Sequence, residues 1–221
     1  MRQGKDDETL RDAVPDDEKV NSKYSTIVFD LGNTLIKFDH NISAKKIAKS
    51  FSLDPKVIYD LFFDSPLTRS FEKGEISPKV FHSQVSKAIG AKIPFNDFVD
   101  IWNDIFWEDT PSCDLARQLK SSYRLFLLSN ICSLHFEYIR KKFDIIKIFD
   151  ETVLSFMVGA IKPDRLIFEN LIKRAGGDRT KLLYIDDRDD LIQEALTLGI
   201  DSIRYEGADK LKKKLEETAV I

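Results

Sequence analysis

The chain has 221 residues, of which 43% are hydrophobic and 32% are charged, and its formal net charge is −3. This composition is typical of a globular protein with a buried core, and the acidic balance argues against nucleic acid as a partner. No apolar run approaches the roughly 20 residues needed to cross a bilayer, so no membrane partner is expected. Cys113 and Cys132 lack the spacing of a metal site or a disulfide framework, which favours reduced thiols and a cytoplasmic location. Composition alone does not select an oligomeric state.

The first segment, residues 1–23, mixes acidic and basic side chains and contains hardly any large apolar ones. Such a segment can bury too little apolar surface to offset the conformational entropy that it would lose on folding. The sequence therefore predicts a disordered tail over residues 1–23.

Regular structure begins at Thr26, where an apolar run predicts a strand that ends at Asp30 and is followed by a Gly-Asn turn. Residues 39–108 then show helical patterns only, with Ser77-Pro78 as one predicted helix start. The apolar residues on two predicted helix faces are Phe81, Val85, Ala88 and Ile89, and Phe95, Phe98, Val99, Trp102 and Phe106. We expect residues 39–108 to form a helical cap inserted after the first strand.

Beyond Pro111, predicted helices and strands alternate. The predicted elements are a helix over 112–120, the strand Arg124–Ser129, a helix over 133–142, an apolar stretch at Thr152–Val158, a helix from Pro163 to Ala175, the strand Leu182–Asp186, a helix over 189–198 and the strand Ser202–Tyr205. Alternation at this spacing is typical of parallel βαβ units. The predicted fold class is α/β, a three-layer doubly wound parallel sheet, with residues 24–38 and 109–221 as the core.

Polar side chains lie at four places where this sheet is expected to present its carboxyl edge: Asp30, Ser129–Asn130, Lys162 and Asp186–Asp187. Each place alone is explained as readily by a turn, a helix cap or a solvated surface group. Together they suggest a site, because ligands bind outside the carboxyl ends of parallel strands. Two carboxylates brought into one crevice repel each other unless a cation lies between them, and Mg²⁺ is the natural occupant. This pattern points to phosphoryl transfer.

Four segments carry a resemblance that covers about residues 24–207. The chain resembles the haloacid dehalogenase superfamily of hydrolases in FDLGNTL (residues 29–35), LLSN (127–130), GAIKPD (159–164) and YIDDRDD (184–190). Within that superfamily it is similar to the bacterial glucose-1-phosphate phosphatase-like group, whose helical cap contains a phrase like FEKGEIS at 71–77. The resemblance implies a Rossmann-like core and a phosphatase acting on a small phosphorylated substrate, since a closing lid leaves little room for a macromolecule.

The resemblance also implies roles for individual residues. Asp30 would attack phosphorus and form an aspartyl-phosphate. Asp30, the backbone carbonyl of Gly32 and Asp186 would hold Mg²⁺ between nucleophile and phosphate.

Further roles follow for the other motif residues. Ser129 and the backbone N–H of Asn130 would hold phosphate oxygens, and Lys162 would supply fixed positive charge. Asp187 and Asp190 would orient Lys162 or a metal-bound water, although the helix from 189 allows an ordinary capping role for one of them.

Gly32 departs from the wider superfamily pattern. Most of its phosphatases carry a second Asp two residues after the nucleophile, as general acid and base, and glycine has no side chain to do this. Asp39 and His40 are the candidate replacements, and each has an alternative interpretation as a hinge or helix cap.

Two other functions are compatible with the sequence. One is a weak or inactive relative that binds a phosphorylated ligand or a protein partner, for which Gly32 is the main support. The other is a metal-free dehalogenase, which the crowded carboxylates of Asp186, Asp187 and Asp190 disfavour.

Overall fold

The computed structural model describes residues 22–63 and 65–221. The predicted disordered tail therefore lies outside the described residues, except for Ser22 and Lys23.

The core is a five-stranded sheet in which all neighbouring strands are parallel. In sheet order the strands are β5 (Glu151–Leu154), β4 (Arg124–Ser129), β1 (Thr26–Phe29), β6 (Leu182–Asp186) and β7 (Asp201–Arg204). The first strand therefore lies in the middle of the sheet, between the two strands whose ends were predicted to carry polar groups.

Helices cover both faces of this sheet, and the side chains of β1 show why. Ile27 and Phe29 join one buried cluster, whereas Val28, between them, joins another on the opposite face. Successive side chains of a strand point to opposite faces, so a strand that is apolar throughout needs packing on both sides. The predicted three-layer α/β fold is confirmed.

The helices outside the inserted block supply those two layers. They are α6 (Thr110–Leu119), α7 (Ser133–Lys142), α8 (Ser155–Val158), α9 (Arg165–Ala175), α10 (Asp189–Thr197) and α11 (Ala208–Glu217). The helix predicted from Pro163 begins two residues later, because Asp164 is its N-cap and accepts a hydrogen bond from the Leu166 backbone N–H (2.9 Å). The apolar stretch Thr152–Val158 divides between the end of β5 and α8.

Between β1 and α6 the chain forms a helical insertion on a two-stranded stem. Its helices are α1 (His40–Phe51), α2 (Pro55–Phe63), α3 (Pro66–Glu72), α4 (Pro78–Ala88) and α5 (Phe95–Asn103). Strands β2 (Ile36–Phe38) and β3 (Phe106–Glu108) pair antiparallel at its base. The prediction of helices only over 39–108 was therefore wrong at Phe106, whose partner strand lies about 70 residues earlier. That the segment 39–108 is a separate domain stays a prediction.

The insertion has its own buried core. Phe81, Val85, Phe98 and Trp102 of the predicted helix faces are buried, whereas Ala88 is exposed. In the described part of the chain, no helix is both long and apolar enough to cross a membrane.

Candidate active site

The register of β1 and β6 brings two carboxylates together. Phe29 pairs with Ile185, and the Asp30 backbone N–H donates to the Ile185 carbonyl (2.8 Å). Asp30 therefore leaves β1 beside Asp186, the last residue of β6, and both side chains are buried. Adjacent parallel strands thus deliver both acids to the carboxyl edge of the sheet.

Lys162 lies between the two carboxylates. Its Nζ donates to Asp30 Oδ1 (2.6 Å), to Asp186 Oδ2 (2.7 Å) and to the Leu128 carbonyl (3.1 Å). Lys162 is only 3% exposed, and a buried charge needs this set of partners to compensate its lost hydration.

The Asn130 side chain holds the backbone that carries Lys162. Asn130 Oδ1 accepts from the Lys162 backbone N–H (2.7 Å), and Asn130 Nδ2 donates to the Lys162 carbonyl (3.0 Å). The Lys162–Pro163 peptide bond is cis. Asn130, predicted as a phosphate-binding residue through its backbone, therefore also positions Lys162 through its side chain.

Tyr184 is a member of the cluster that the sequence did not reveal. Its hydroxyl lies 3.1 Å from Lys162 Nζ and donates to Asp186 Oδ2. Burial, with the Asp186 and Asp30 carboxylates adding to it, raises the pKa of Tyr184 well above the usual value, so the hydroxyl stays a donor. Tyr184 lies within the apolar strand β6, so the sequence indicates only a residue of the buried core.

Burial dominates the electrostatics of the nucleophile candidate. It raises the pKa of Asp30 to about 7, against the opposing effect of Lys162 and with a contribution from Asp186. Burial alone would lower the pKa of Lys162, but the Asp30 and Asp186 carboxylates raise it above its usual value. Lys162 therefore stays positively charged. Further positive charge beside Asp30 would favour the ionised carboxylate of Asp30.

The carboxylates are arranged to accept a hard cation. Oxygen atoms of Asp30, Asp186 and Asp187 all lie within 4.8 Å of one another. Burial, followed by the Asp186 charge, raises the pKa of Asp187. A set of carboxylate oxygens fits Mg²⁺, which prefers oxygen ligands.

Asp190 lies apart from this cluster. Its carboxylate forms a salt bridge with Arg188 (2.5 Å), and both side chains are more than half exposed. The predicted contact with Lys162 is not formed, because Asp190 belongs to the exposed first turn of α10. Asp187 is the better placed of the two acids predicted to support the site.

Gly32 and Ser129 lie at the junction of two adjoining cavities. One, of about 150 Å³, is lined by Asp30, Lys162, Asp186 and Asp187. The other, of about 70 Å³, extends toward the helical insertion. The residues lining both are Gly32, Phe38, Ser129 and Asn130. The cavity that contains the carboxylates therefore adjoins the second, cap-side cavity at these four residues.

The Phe38 ring lies beside Gly32, on the side where a side chain at this position would begin. A Cβ added to Gly32 would lie 3.0 Å from Phe38 Cε1, and the Gly32 backbone is outside the left-handed region. The turn therefore tolerates a Cβ only if the phenyl ring shifts. A side chain at position 32 would therefore begin in contact with the Phe38 ring.

The two candidate replacements for that acid lie in different surroundings. Asp39 is the N-cap of α1, and its Oδ1 accepts from the backbone N–H and from Nδ2 of Asn41, both at 2.9 Å. These bonds lower the pKa of Asp39. His40 lines the cap-side cavity, and burial lowers its pKa to about 4 despite the nearby Asp39 charge.

The comparisons with known proteins agree with this geometry. A family model described as haloacid dehalogenase-like hydrolase matches residues 24–196. The chain therefore belongs to the haloacid dehalogenase-like hydrolase family.

Individual relatives cover most of the chain. A D-ribitol-5-phosphate phosphatase of Bacteroides thetaiotaomicron is 26% identical over 193 residues, which are 83% of this chain and 93% of that protein. A sesquiterpene phosphatase of Aspergillus oryzae is 20% identical over 181 residues, 80% of this chain and 87% of that protein. Among solved structures, a family enzyme of B. thetaiotaomicron in complex with magnesium and inorganic phosphate has a TM-score of 0.75 and 25% identity, covering 83% of this chain and 94% of that one.

Proposed function

We propose that this protein is a Mg²⁺-dependent phosphatase that hydrolyses a small phosphorylated metabolite through an aspartyl-phosphate on Asp30. The observation that carries the proposal is the buried cluster in which Lys162 bridges Asp30 and Asp186 at the carboxyl edge of the sheet. The phosphatase names of two relatives, and the magnesium and phosphate bound in a solved structure of the family, support it.

Asp30 is the proposed nucleophile. One of its carboxylate oxygens bonds to phosphorus as the bond to the leaving oxygen breaks, and a water molecule later hydrolyses the aspartyl-phosphate. Lys162 holds the carboxylate in place before attack, and its ammonium offsets negative charge as phosphorus is approached. The buried surroundings strengthen this effect, because little water is present to screen it.

Ser129 and the Asn130 backbone N–H are the proposed donors to the non-bridging phosphate oxygens. Ser129 ends β4, the neighbour of β1, and Asn130 follows it; both line the same cavity as Asp30. Asp30, Asp186 and the Gly32 carbonyl would hold Mg²⁺, with Asp187 close by. Bound there, the metal ion would neutralise charge between the carboxylate and the phosphate.

The substrate is proposed to be small because the cavity is narrow and is roofed by the insertion. Of the relatives, one is named for a polyol phosphate and another for a sesquiterpene. A polyol and a sesquiterpene differ strongly in polarity, so similarity to these relatives does not identify the substrate. A cytoplasmic location also stays a prediction.

The substitution Asp30→Asn tests the proposal. We expect turnover of p-nitrophenyl phosphate with Mg²⁺ to fall by at least about 10³-fold, because an amide cannot attack phosphorus. Beryllium fluoride with Mg²⁺, which mimics a phosphorylated carboxylate, should raise the melting temperature of the wild type but not that of the variant.

Asp97→Asn, an exposed change on α5, controls for loss of a carboxylate elsewhere. Near-normal turnover by Asp30→Asn would contradict the covalent mechanism. Wild-type protein without any phosphatase activity would instead favour the inactive relative, and activity on haloacids that persists in chelator would favour the dehalogenase.

A further inference from the structure

Glu72, the last residue of α3, lines the cap-side cavity together with Gly32, Phe38 and Ser129. It belongs to the FEKGEIS segment, to which the proposed phosphatase mechanism gives no role. Its backbone carbonyl accepts from Ser155 Oγ (2.7 Å), and the same hydroxyl accepts from the Ile131 backbone N–H (2.9 Å). Ser155 thus ties Glu72 to the loop that follows Ser129.

The Glu72 carboxyl has no partner of its own in the described part of the chain. Over residues 22–63 and 65–221 it makes no hydrogen bond and no salt bridge, although it is partly buried in the cavity wall. The carboxyl oxygens keep some access to solvent, so a molecule that enters the cavity can bond to them. A ligand in the cavity would provide the missing partner.

The charged and titratable groups around this carboxyl come from three helices. Arg69 lies one turn earlier on α3 and acts on Glu72 through its positive charge. His40 of α1 and His135 of α7 line the same cavity, and Cys132, the N-cap of α7, is near enough for the Glu72 charge to raise its thiol pKa beyond the effect of burial.

Glu72 is the best placed of these groups to exchange a proton at neutral pH. Burial raises the pKa of Glu72 to about 7, against the effect of Arg69. Burial lowers the pKa of His40 to about 4 and that of His135 to about 3, so both imidazoles are neutral at pH 7 and cannot serve as acids. His135 Nε2 is also paired with the Trp102 carbonyl (3.2 Å).

We propose that Glu72 is the general acid of this enzyme and takes the place of the side chain missing at Gly32. The inference rests on the proposed phosphatase function. The unpaired carboxyl, the cavity shared with Ser129 and the lack of any side chain at position 32 carry it together.

Protons and electrons balance in each half of the proposed reaction. When Asp30 attacks, the bond between phosphorus and the leaving oxygen breaks, its electron pair goes to that oxygen, and the Glu72 carboxyl supplies the proton. In the second half, water bonds to phosphorus and its protons stay on the phosphate that is released, while the Glu72 carboxylate regains its proton from solvent. The bond between phosphorus and Asp30 then breaks, and its electron pair returns to the Asp30 carboxylate.

The test is the dependence of kcat on the leaving group for wild type and for Glu72→Gln. Aryl phosphates such as p-nitrophenyl phosphate leave as stable anions and need no proton, whereas alkyl phosphates such as glycerol phosphate and ribitol phosphate do. We expect Glu72→Gln to lower kcat for alkyl phosphates by about 10²–10⁴-fold. Turnover of p-nitrophenyl phosphate should stay within about threefold of the wild type.

Glu75→Gln is the matched control, because Glu75 is an exposed carboxylate three residues further along the chain. It should leave both classes of substrate within about twofold. Wild type should show a shallow dependence of kcat on leaving-group pKa, and Glu72→Gln a steep one.

Two results would overturn the proposal. An equal loss on aryl and alkyl phosphates would assign Glu72 a structural role, and a steep dependence already present in wild type would show that no acid acts there. The second result needs no variant, so it decides the matter even if Glu72→Gln does not fold. Neither result affects the proposed phosphatase function, which fails only if wild type hydrolyses none of these substrates.

Discussion

Asp186 and Asp190 are only four positions apart, but their surroundings differ. Asp186 is fully buried and paired with Lys162, whereas Asp190 is exposed and paired with Arg188. Exposed salt bridges of this kind contribute little to stability, at most about 1 kcal/mol. Removing the carboxylate of Asp186 and that of Asp190 therefore compares a buried site position with an exposed one.

We expect Asp186→Ala to raise the Mg²⁺ concentration for half-maximal activity by at least about tenfold, because a proposed ligand is lost. Asp190→Ala should raise it far less, by less than about threefold. The rise in melting temperature with added Mg²⁺ gives a second measurement that does not depend on turnover. Equal and small effects of both substitutions would contradict the assignment of Asp186 as a ligand.

The polar residues at strand ends and Lys162, which precedes Pro163, were predictable from sequence, but Tyr184 and Glu72 were not. Asp30 and Asp186 each end an apolar run, and the parallel sheet brings such ends together. Tyr184 and Glu72 carry no such positional signal. Their surroundings depend on side chains from other elements, such as Lys162 beside Tyr184 and Ser129 beside the Glu72 cavity.

Among the elements, the strands of the parallel sheet were recognisable because both faces are buried and their sequences are apolar throughout. Strand β3 was not. It has only three residues, Trp107 within it is 48% exposed, and its pairing with β2 across the whole insertion stabilises it. Local sequence cannot specify a strand whose partner is so distant, since such pairing depends on tertiary context.

The turn after α3 makes a close backbone contact between the insertion and the core. Gly74 has a φ of +71°, and a Cβ at this position would lie 2.3 Å from the Phe156 carbonyl oxygen in α8. Gly90, in the turn after α4, has a similar φ of +67°, but a Cβ added there would have no atom within 4 Å. Alanine substitutions at the two glycines should therefore cost similar backbone strain, but only the one at Gly74 adds a steric overlap.

We expect Gly90→Ala to lower the free energy of unfolding by about 1 kcal/mol, the usual penalty for a side chain in the left-handed region. Gly74→Ala should cost at least about 1 kcal/mol more, because the backbone of α8 cannot yield as a flexible side chain could. It should also lower kcat, since the turn follows Glu72. Urea unfolding and kcat of both variants are the measurements, and equal costs would show that the contact with Phe156 is loose.

For the whole molecule, the prediction of a parallel core interrupted by a helical insertion was correct. How the insertion packs against the core could not be predicted from sequence. His135 of α7 illustrates this packing. Its ring stacks on Trp102 of α5, with centroids 4.8 Å apart, and its Nε2 donates to the Trp102 carbonyl. His40 also stacks on Phe63 (3.7 Å) and lies over His135 (6.4 Å). Histidine is thus concentrated between the insertion and the core.

These buried histidines make the stability of the protein depend on pH. Burial, with the His40 charge adding to it, lowers the pKa of His135 to about 3 in the folded state, against roughly 6.5 in an unfolded chain. Between these values the unfolded state binds more protons, so the histidine lowers stability as the pH falls. Glu72 acts in the opposite direction, because its pKa is raised to about 7 by burial, and it therefore adds stability as the pH falls from 7 toward 4.5. The wild-type curve contains these contributions together with those of His40 and Asp30, whose pKa values are also shifted, and a substitution is needed to separate them.

We expect His135→Gln to be less stable than wild type at pH 7, where it loses ring stacking, and to recover relative to wild type as the pH falls. At pH 5 the wild type should have lost about 2 kcal/mol through His135, at about 1.4 kcal/mol for each pH unit below 6.5. The glutamine variant does not lose this contribution, so the difference in unfolding free energy between the two proteins should shift by that amount. Urea unfolding of both proteins at pH 7 and pH 5, without Mg²⁺, measures it. A difference that is the same at both pH values would mean that His135 is protonated in the folded protein, and hence that the contact between insertion and core admits water.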